Sequence, residues 1–212
     1  MMKIKYVFMA FGAFQKPQHL LPYKNAKLWL NSNCPKDVLY GSTKEKINCE
    51  HVIPRSLLRK KKHPETDLHC LVLSNAKLNS HRQNYGFGTI SGTNTILLDS
   101  FGRQTCIIKN ATCKKDIKNQ RFEPPNEQKG RIARIVGYYI WTYHGGEILP
   151  GLMEKKSMLQ WHSKYPVSSV EVNKNYMVYK IQKNKNIFIC YPLLMPIFFS
   201  TPVLFLRKCL KK

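Results

Sequence analysis

Between Pro125 and His144 the apolar residues Ile132, Ile135, Val136, Tyr139, Ile140 and Tyr143 recur at helical spacing. A stripe of that width must be covered by other elements, so this helix constrains the fold more than any other segment. Lys129, Arg131 and Arg134 decorate its first turns, and Gly145-Gly146 marks its end. A chain of 212 residues buries one good-sized core, which predicts one domain.

Residues 17–33 read as a helix or loop entry carrying Trp29. Strands are expected at Val38–Tyr40 and Cys49–Ile53, the second stopped by Pro54. Arg59–Lys62 is a basic run, either a solvated face or a phosphate contact, and Leu68–Leu73 is short and apolar. Asn75–Gln83 predicts a helix that ends before the turn-rich Tyr85-Gly86-Phe87-Gly88. Alternation predicts a hairpin of Thr95–Leu98 with Thr105–Ile108 across Ser100-Phe101-Gly102. Further helices are expected over Leu152–Tyr165 and Ser168–Asn184. The aromatics Tyr138, Tyr139, Trp141 and Tyr143 read as core.

The two ends differ from the rest. Met1–Phe14 weakly resembles an export signal but lacks a small-x-small cleavage site, so it reads as a first buried element. Residues 191–206 are almost wholly apolar, interrupted by Pro192, Pro196 and Pro202, before the basic Arg207–Lys212. A spanning helix needs about 20 apolar residues. Core packing is therefore the first reading of this tail, with a membrane-surface anchor or a partner-docking segment as alternatives. The division expected is a domain over 1–190 and a tail over 191–212.

Lys and Arg number 35 against 12 Asp and Glu, a net charge of +23 spread along the chain. Such self-repulsion suits a polyanionic partner, nucleic acid before an anionic membrane. The seven cysteines form no CxxC pair, which argues against a zinc ribbon, and Cys106 with Cys113 could close a local bridge.

The chemistry-bearing segments are Asn48-Cys49-Glu50-His51-Val52-Ile53-Pro54-Arg55-Ser56, Asp67-Leu68-His69-Cys70-Leu71 and Leu78-Asn79-Ser80-His81-Arg82-Gln83-Asn84-Tyr85-Gly86-Phe87-Gly88. Phosphodiester hydrolysis needs a base for water and a hard cation for the charge that develops on phosphate. A histidine suits the first role; a carboxylate with an amide suits the second. Adjacent strand residues point to opposite faces, so Glu50 and His51 share one site only where the strand bends or ends. Cys49, His51, His69 and Cys70 imitate a zinc set, but at spacings foreign to zinc fingers.

These segments resemble the endonuclease I family of ββα-metal (His-Me finger) nucleases. The Glu-His-Val-x-Pro core, Asp-Leu-His-x-Leu and Leu-Asn-x-x-Arg-x-Asn-x-x-Phe-Gly occur in the family's order. Phe122-Glu123-Pro124-Pro125 with Lys129-Gly130-Arg131-Ile132-Ala133-Arg134 follows, and the likeness runs from Val38 to Ile189. The resemblance implies an α+β fold, a ββα-metal motif set in a mainly helical single domain. It implies a metal-dependent endonuclease that cleaves DNA, and RNA, with little sequence preference and leaves 5′-phosphates. His51 would be the general base, and Glu50 and Asn79 the ligands of Mg²⁺, Ca²⁺ or Mn²⁺. Asn75 and Asn84 compete with Asn79 for that role as caps or turn formers. Arg82 and Arg134 would contact phosphate or hold the site together, and Asp67 and His69 read as structural. Family members are typically exported.

Two departures qualify the likeness. The His51-to-Asp67 connection is short beside bacterial members, so assisting loop residues do not carry over, and Glu65 is a candidate acidic group near the metal. The tail beyond Ile189 lacks the family's polar ending. A nucleic-acid-binding protein without turnover on the same fold, and a membrane-associated basic protein, remain the other readings.

Overall fold

A computed structural model describes residues 16–35, 37–144 and 151–200. The Met1–Phe14 element, the Gly145-Gly146 stop, Cys209 and the basic Arg207–Lys212 lie outside the described residues. Within them the chain is a mixed α+β fold built around two small sheets.

Helix α1 (Tyr23–Asn33) starts after Pro22 and buries Ala26 and Leu30. Strand β1 (Ile47–His51) pairs antiparallel with β2 (Leu71–Asn75), in the register Ile47↔Asn75 to His51↔Leu71. Between them lies α2 (Arg55–Lys61), so the basic run is the exposed face of a helix. Every residue of β2 is buried, because α1 covers one side of the pair and the main core the other. Asn75 caps α3 (Ala76–Arg82), accepting from the Lys77 and Leu78 amides. Val38 contributes an isolated bridge to Leu73 instead of the strand expected there.

The second sheet has the order β3-β6-β5-β4, from β3 (Gly86–Phe87), β4 (Thr95–Leu98), β5 (Cys113–Asp116) and β6 (Arg121–Glu123). This corrects the hairpin read from sequence. The 99–103 turn forms, with Asp99 accepting from the Phe101 and Arg103 amides, but β4 pairs with Cys113–Asp116. On its other side β4 keeps only the mouth of the expected hairpin: Leu98 bridges Gln104, and the Thr105 amide donates to the Leu97 carbonyl at 3.0 Å. The chain then turns off into a single 3₁₀ turn, Ile108–Asn110, with Ile107 and Ile108 exposed. Cys106 is exposed, Cys113 is buried, and the two are not bonded.

Helix α4 (Asn126–His144) is the axis of the core, buried at every position from Lys129 to Trp141. Around it pack α5 (Lys155–Lys164), α6 (Ser169–Gln182), α7 (Ile187–Cys190) and α8 (Leu194–Ser200). Helix α6 opens with a capping box of Ser168 and Glu171. The tail through residue 200 joins the main core: Met195, Phe198 and Phe199 are buried, and Phe198 stacks on Trp141 at 4.3 Å. Gly137 permits this contact, since a Cβ there would fall 2.2 Å from Met195 Cε. Pro196 sits in the first turn of α8, where no amide is needed. Among the described residues no helix is long and apolar enough to cross a membrane.

Replacing Phe198 with Ala is expected to lower the unfolding free energy by about 3 kcal/mol, through lost burial and a cavity against Trp141. Denaturant titration checks this as a lower midpoint at unchanged slope.

Candidate active site

Strand β1 ends at His51, and Glu50 and His51 are both buried, 2% and 7% exposed. They face different neighbours. The Glu50 carboxylate points to Arg82 Nη1 at 3.3 Å and lies beside the Tyr40 hydroxyl. The His51 ring stacks on Tyr23, with centroids 5.6 Å apart.

The His51 tautomer follows from one contact. Nε2 lies 3.1 Å from the Glu65 carbonyl, which can only accept, so Nε2 carries the proton and Nδ1 keeps a lone pair. Burial, then the positive charge of Arg55, hold the ring's pKa down at about 4. The ring is therefore neutral at physiological pH.

Glu50 is shifted the other way. Burial raises its pKa to about 7 against the opposing pull of Arg82. Its Oε1 is enclosed and accepts no hydrogen bond. Asn79 extends from α3 toward the same strand, its Nδ2 donating to Asn48 Oδ1 at 2.7 Å and to the Cys49 carbonyl at 3.3 Å. With both donor contacts spent on β1, the Asn79 amide oxygen has no partner among the described residues. Asn75 is occupied as a helix cap, and Asn84 is exposed in the following turn. Among the described residues no three of His, Cys, Asp and Glu converge as a metal cage. The Glu50 carboxylate, ion-paired but without a hydrogen bond at Oε1, and the Asn79 amide oxygen are donors of the kind a hard cation that keeps most of its waters would take.

Arg82 and Arg134 both lie in the interior. Arg82 is 1% exposed; it donates to the carbonyls of His51 at 2.9 Å and Val52 at 2.7 Å and lies over the Phe87 ring. It holds the end of β1. Arg134 belongs to a different cluster, paired with both oxygens of Glu171 at 2.7 and 2.8 Å and bonded to the Tyr165 and Pro166 carbonyls. With Nε and both terminal nitrogens spent on these partners, it presents no donor to a phosphate.

Asp67 and His69 have structural surroundings. Asp67 accepts from Tyr138, Tyr143, Gln182 and the His69 amide, and His69 Nε2 meets the Asn184 carbonyl. The Glu65 carboxylate is taken by Arg55 and Arg59, at 2.7 and 2.6 Å. Sequence reasoning missed Tyr23, which stacks on His51, and gave no role to Arg55, which lay inside the Asn48–Ser56 segment.

The antiparallel β1–β2 pair followed by α3, with a tautomer-fixed histidine at the strand end, is the ββα-metal arrangement. The endonuclease I family model matches residues 19–193, and the chain belongs to the endonuclease I family. It is 32% identical over 127 residues to the endonuclease-1 of Buchnera aphidicola subsp. Baizongia pistaciae, covering 59% of this chain and 46% of that protein. It is 30% identical over 144 residues to an extracellular ribonuclease of Bacillus amyloliquefaciens, covering 61% and 45%. An extracellular deoxyribonuclease of Aeromonas hydrophila is 29% identical over 128 residues, covering 59% and 49%. The chain thus spans about half the length of the curated relatives it matches.

Two outcomes follow. A carboxyl held at about 7 when folded, against the ordinary 4.5, binds its proton more tightly in the folded state. Its contribution to stability is therefore greatest at low pH and is lost as pH rises from about 4 to 8. With chelator present, the stability difference between wild type and Glu50→Gln should shift by about 3 kcal/mol over that range; a flat difference refutes the enclosed carboxyl. Arg134→Met should cost about 3–5 kcal/mol by stranding Glu171, read as a lower denaturant midpoint.

Proposed function

We propose that the protein is a metal-dependent, sequence-nonspecific endonuclease that hydrolyses phosphodiester bonds of DNA, and of RNA, to 5′-phosphate products. The observation that carries this reading is His51: a buried, neutral imidazole whose Nε2 proton is tied to Glu65, leaving Nδ1 to accept a proton. The names of the relatives above, an endonuclease, a ribonuclease and a deoxyribonuclease, support both substrates.

In this mechanism the basic surface gathers the polyanion through its backbone, which makes capture salt-sensitive and blind to sequence. His51 Nδ1 takes a proton from water as the water oxygen attacks phosphorus. The bond from phosphorus to the 3′-oxygen breaks, giving a 5′-phosphate and a 3′-hydroxyl protonated from solvent. A divalent cation held by Glu50 and Asn79, with Mg²⁺ first and Ca²⁺ or Mn²⁺ as substitutes, supplies charge neutralisation on the phosphate and the leaving oxygen. Arg82 does not touch substrate; it positions the strand end that carries both Glu50 and His51. Relatives named extracellular or periplasmic support action outside the cytoplasm for this chain too.

Incubation with plasmid DNA and with RNA tests this. Wild type should nick both with Mg²⁺ and neither with chelator, and His51→Ala should lose about 10²- to 10⁴-fold in rate. Equal nicking by both proteins, or indifference to chelator, overturns the mechanism. Binding without cleavage by wild type would instead favour a nucleic-acid-binding protein that has kept the fold.

A further inference from the structure

Glu65 serves the region of His51 twice. Its carbonyl fixes His51 Nε2 at 3.1 Å, and its carboxylate takes Arg55 Nε at 2.7 Å and Arg59 Nε at 2.6 Å. The two arginines stand four residues apart on α2, on one helix face. Each is bound to Glu65 through Nε, and the terminal nitrogens of both have no partner among the described residues. Their side chains are 45% and 62% exposed. The Arg55 guanidinium also lies over the Tyr23 ring, 5.3 Å from its centroid, and that ring stacks on His51.

Plain electrostatics disfavours a carboxylate here. The protein captures a polyanion, and an acid beside the base repels it. Positioning explains the acid. Two flexible guanidiniums left alone would lose rotamer freedom on meeting a phosphate. Anchored through Nε, they already present planar pairs of N–H donors that match phosphodiester oxygens. The anchor is the residue that also orients the base, so the donors and the base keep a fixed relation.

Resting on the nuclease reading above, the geometry assigns to Arg55 and Arg59 a clamp on the nucleic-acid phosphodiester backbone beside the scissile bond, with Glu65 as their positioning residue. This fills, from a short helix, the place left by the brief connection between His51 and Asp67.

The test separates charge from position. Glu65→Gln keeps the backbone carbonyl that holds His51 and raises the net charge by one. Glu154→Gln makes the same charge change at an exposed acid that pairs with Arg121 at 3.7 Å. For the full chain, the dissociation constant for a labelled DNA duplex is measured across salt concentrations with chelator, and kcat with Mg²⁺. Thermal unfolding verifies that each variant is folded. Both Gln variants should bind DNA at least as tightly as wild type. Glu65→Gln should nonetheless lose at least about tenfold in kcat, while Glu154→Gln keeps the wild-type value. The Arg55→Ala/Arg59→Ala double variant, altered at exposed positions, should lose kcat likewise and reduce the salt slope of binding by about one to two. Glu65→Gln cleaving like Glu154→Gln, or the double variant keeping full kcat, overturns the clamp. Wild type that binds without cleaving overturns the nuclease reading instead, and the clamp then stands or falls on the double variant's salt slope.

Discussion

The buried guanidinium of Arg82 joins helix α3 to the end of strand β1. It bonds the carbonyls of residues 51 and 52, faces the Glu50 carboxylate at 3.3 Å and rests on Phe87. Taking both charges out of water is expensive, and the pair is incompletely satisfied, since Arg82 Nε and Glu50 Oε1 lack hydrogen bonds. Little net stability comes from such a pair. What it provides is location: the strand stops at one place, with the carboxyl on one side and the imidazole on the other. Asn79, one helical turn before Arg82, is brought to β1 by the same docking of α3.

Scarce carboxylates shape the rest of the molecule. Of the twelve Asp and Glu residues, Asp37, Glu50, Asp67, Asp116, Glu123 and Glu171 are buried. Asp37 neutralises Arg131 and faces Lys174, Glu123 pairs with Lys129, and Glu171 pairs with Arg134. The cations that decorate the first turns of α4 in the sequence are thus interior groups with dedicated partners. Every acid used inside is one fewer on the surface, so the solvent-facing charge is more one-sided than composition suggests. This is how one sequence holds a packed core and a strongly cationic exterior together.

Helix α4 was legible because its apolar stripe repeats over about three turns, and α3 because Asn75 is a local cap followed by helix formers. The ordered motifs located Glu50, His51 and Asn79 for the same reason, as each is carried by short contiguous segments. The partner of β4 was not legible. Thr105–Ile108 carries the β-branched pattern, while the true partner, Cys113–Asp116, holds Lys114 and Lys115; pairing is decided by contacts across the sheet, which local pattern does not encode. The sign of Arg82 and Arg134 was visible but their burial was not. The arginine partners of Glu65 were not visible because they depend on α2 turning both back toward it.

Burial has opposite consequences for the two groups at the strand end. Desolvation favours the neutral form of each, and for His51 the neutral form is the one a base requires. For Glu50 it is the wrong form for a ligand, and Arg82 with the Tyr40 hydroxyl still leaves its pKa at about 7. A further positive charge facing Glu50 would favour its carboxylate form. On the proposed reading, the same dry surroundings that ready the base leave the metal-free site with a carboxyl half-protonated near neutrality. On that reading Glu50 would have to give up its proton to hold a cation, whereas His51 needs no change of protonation to accept one.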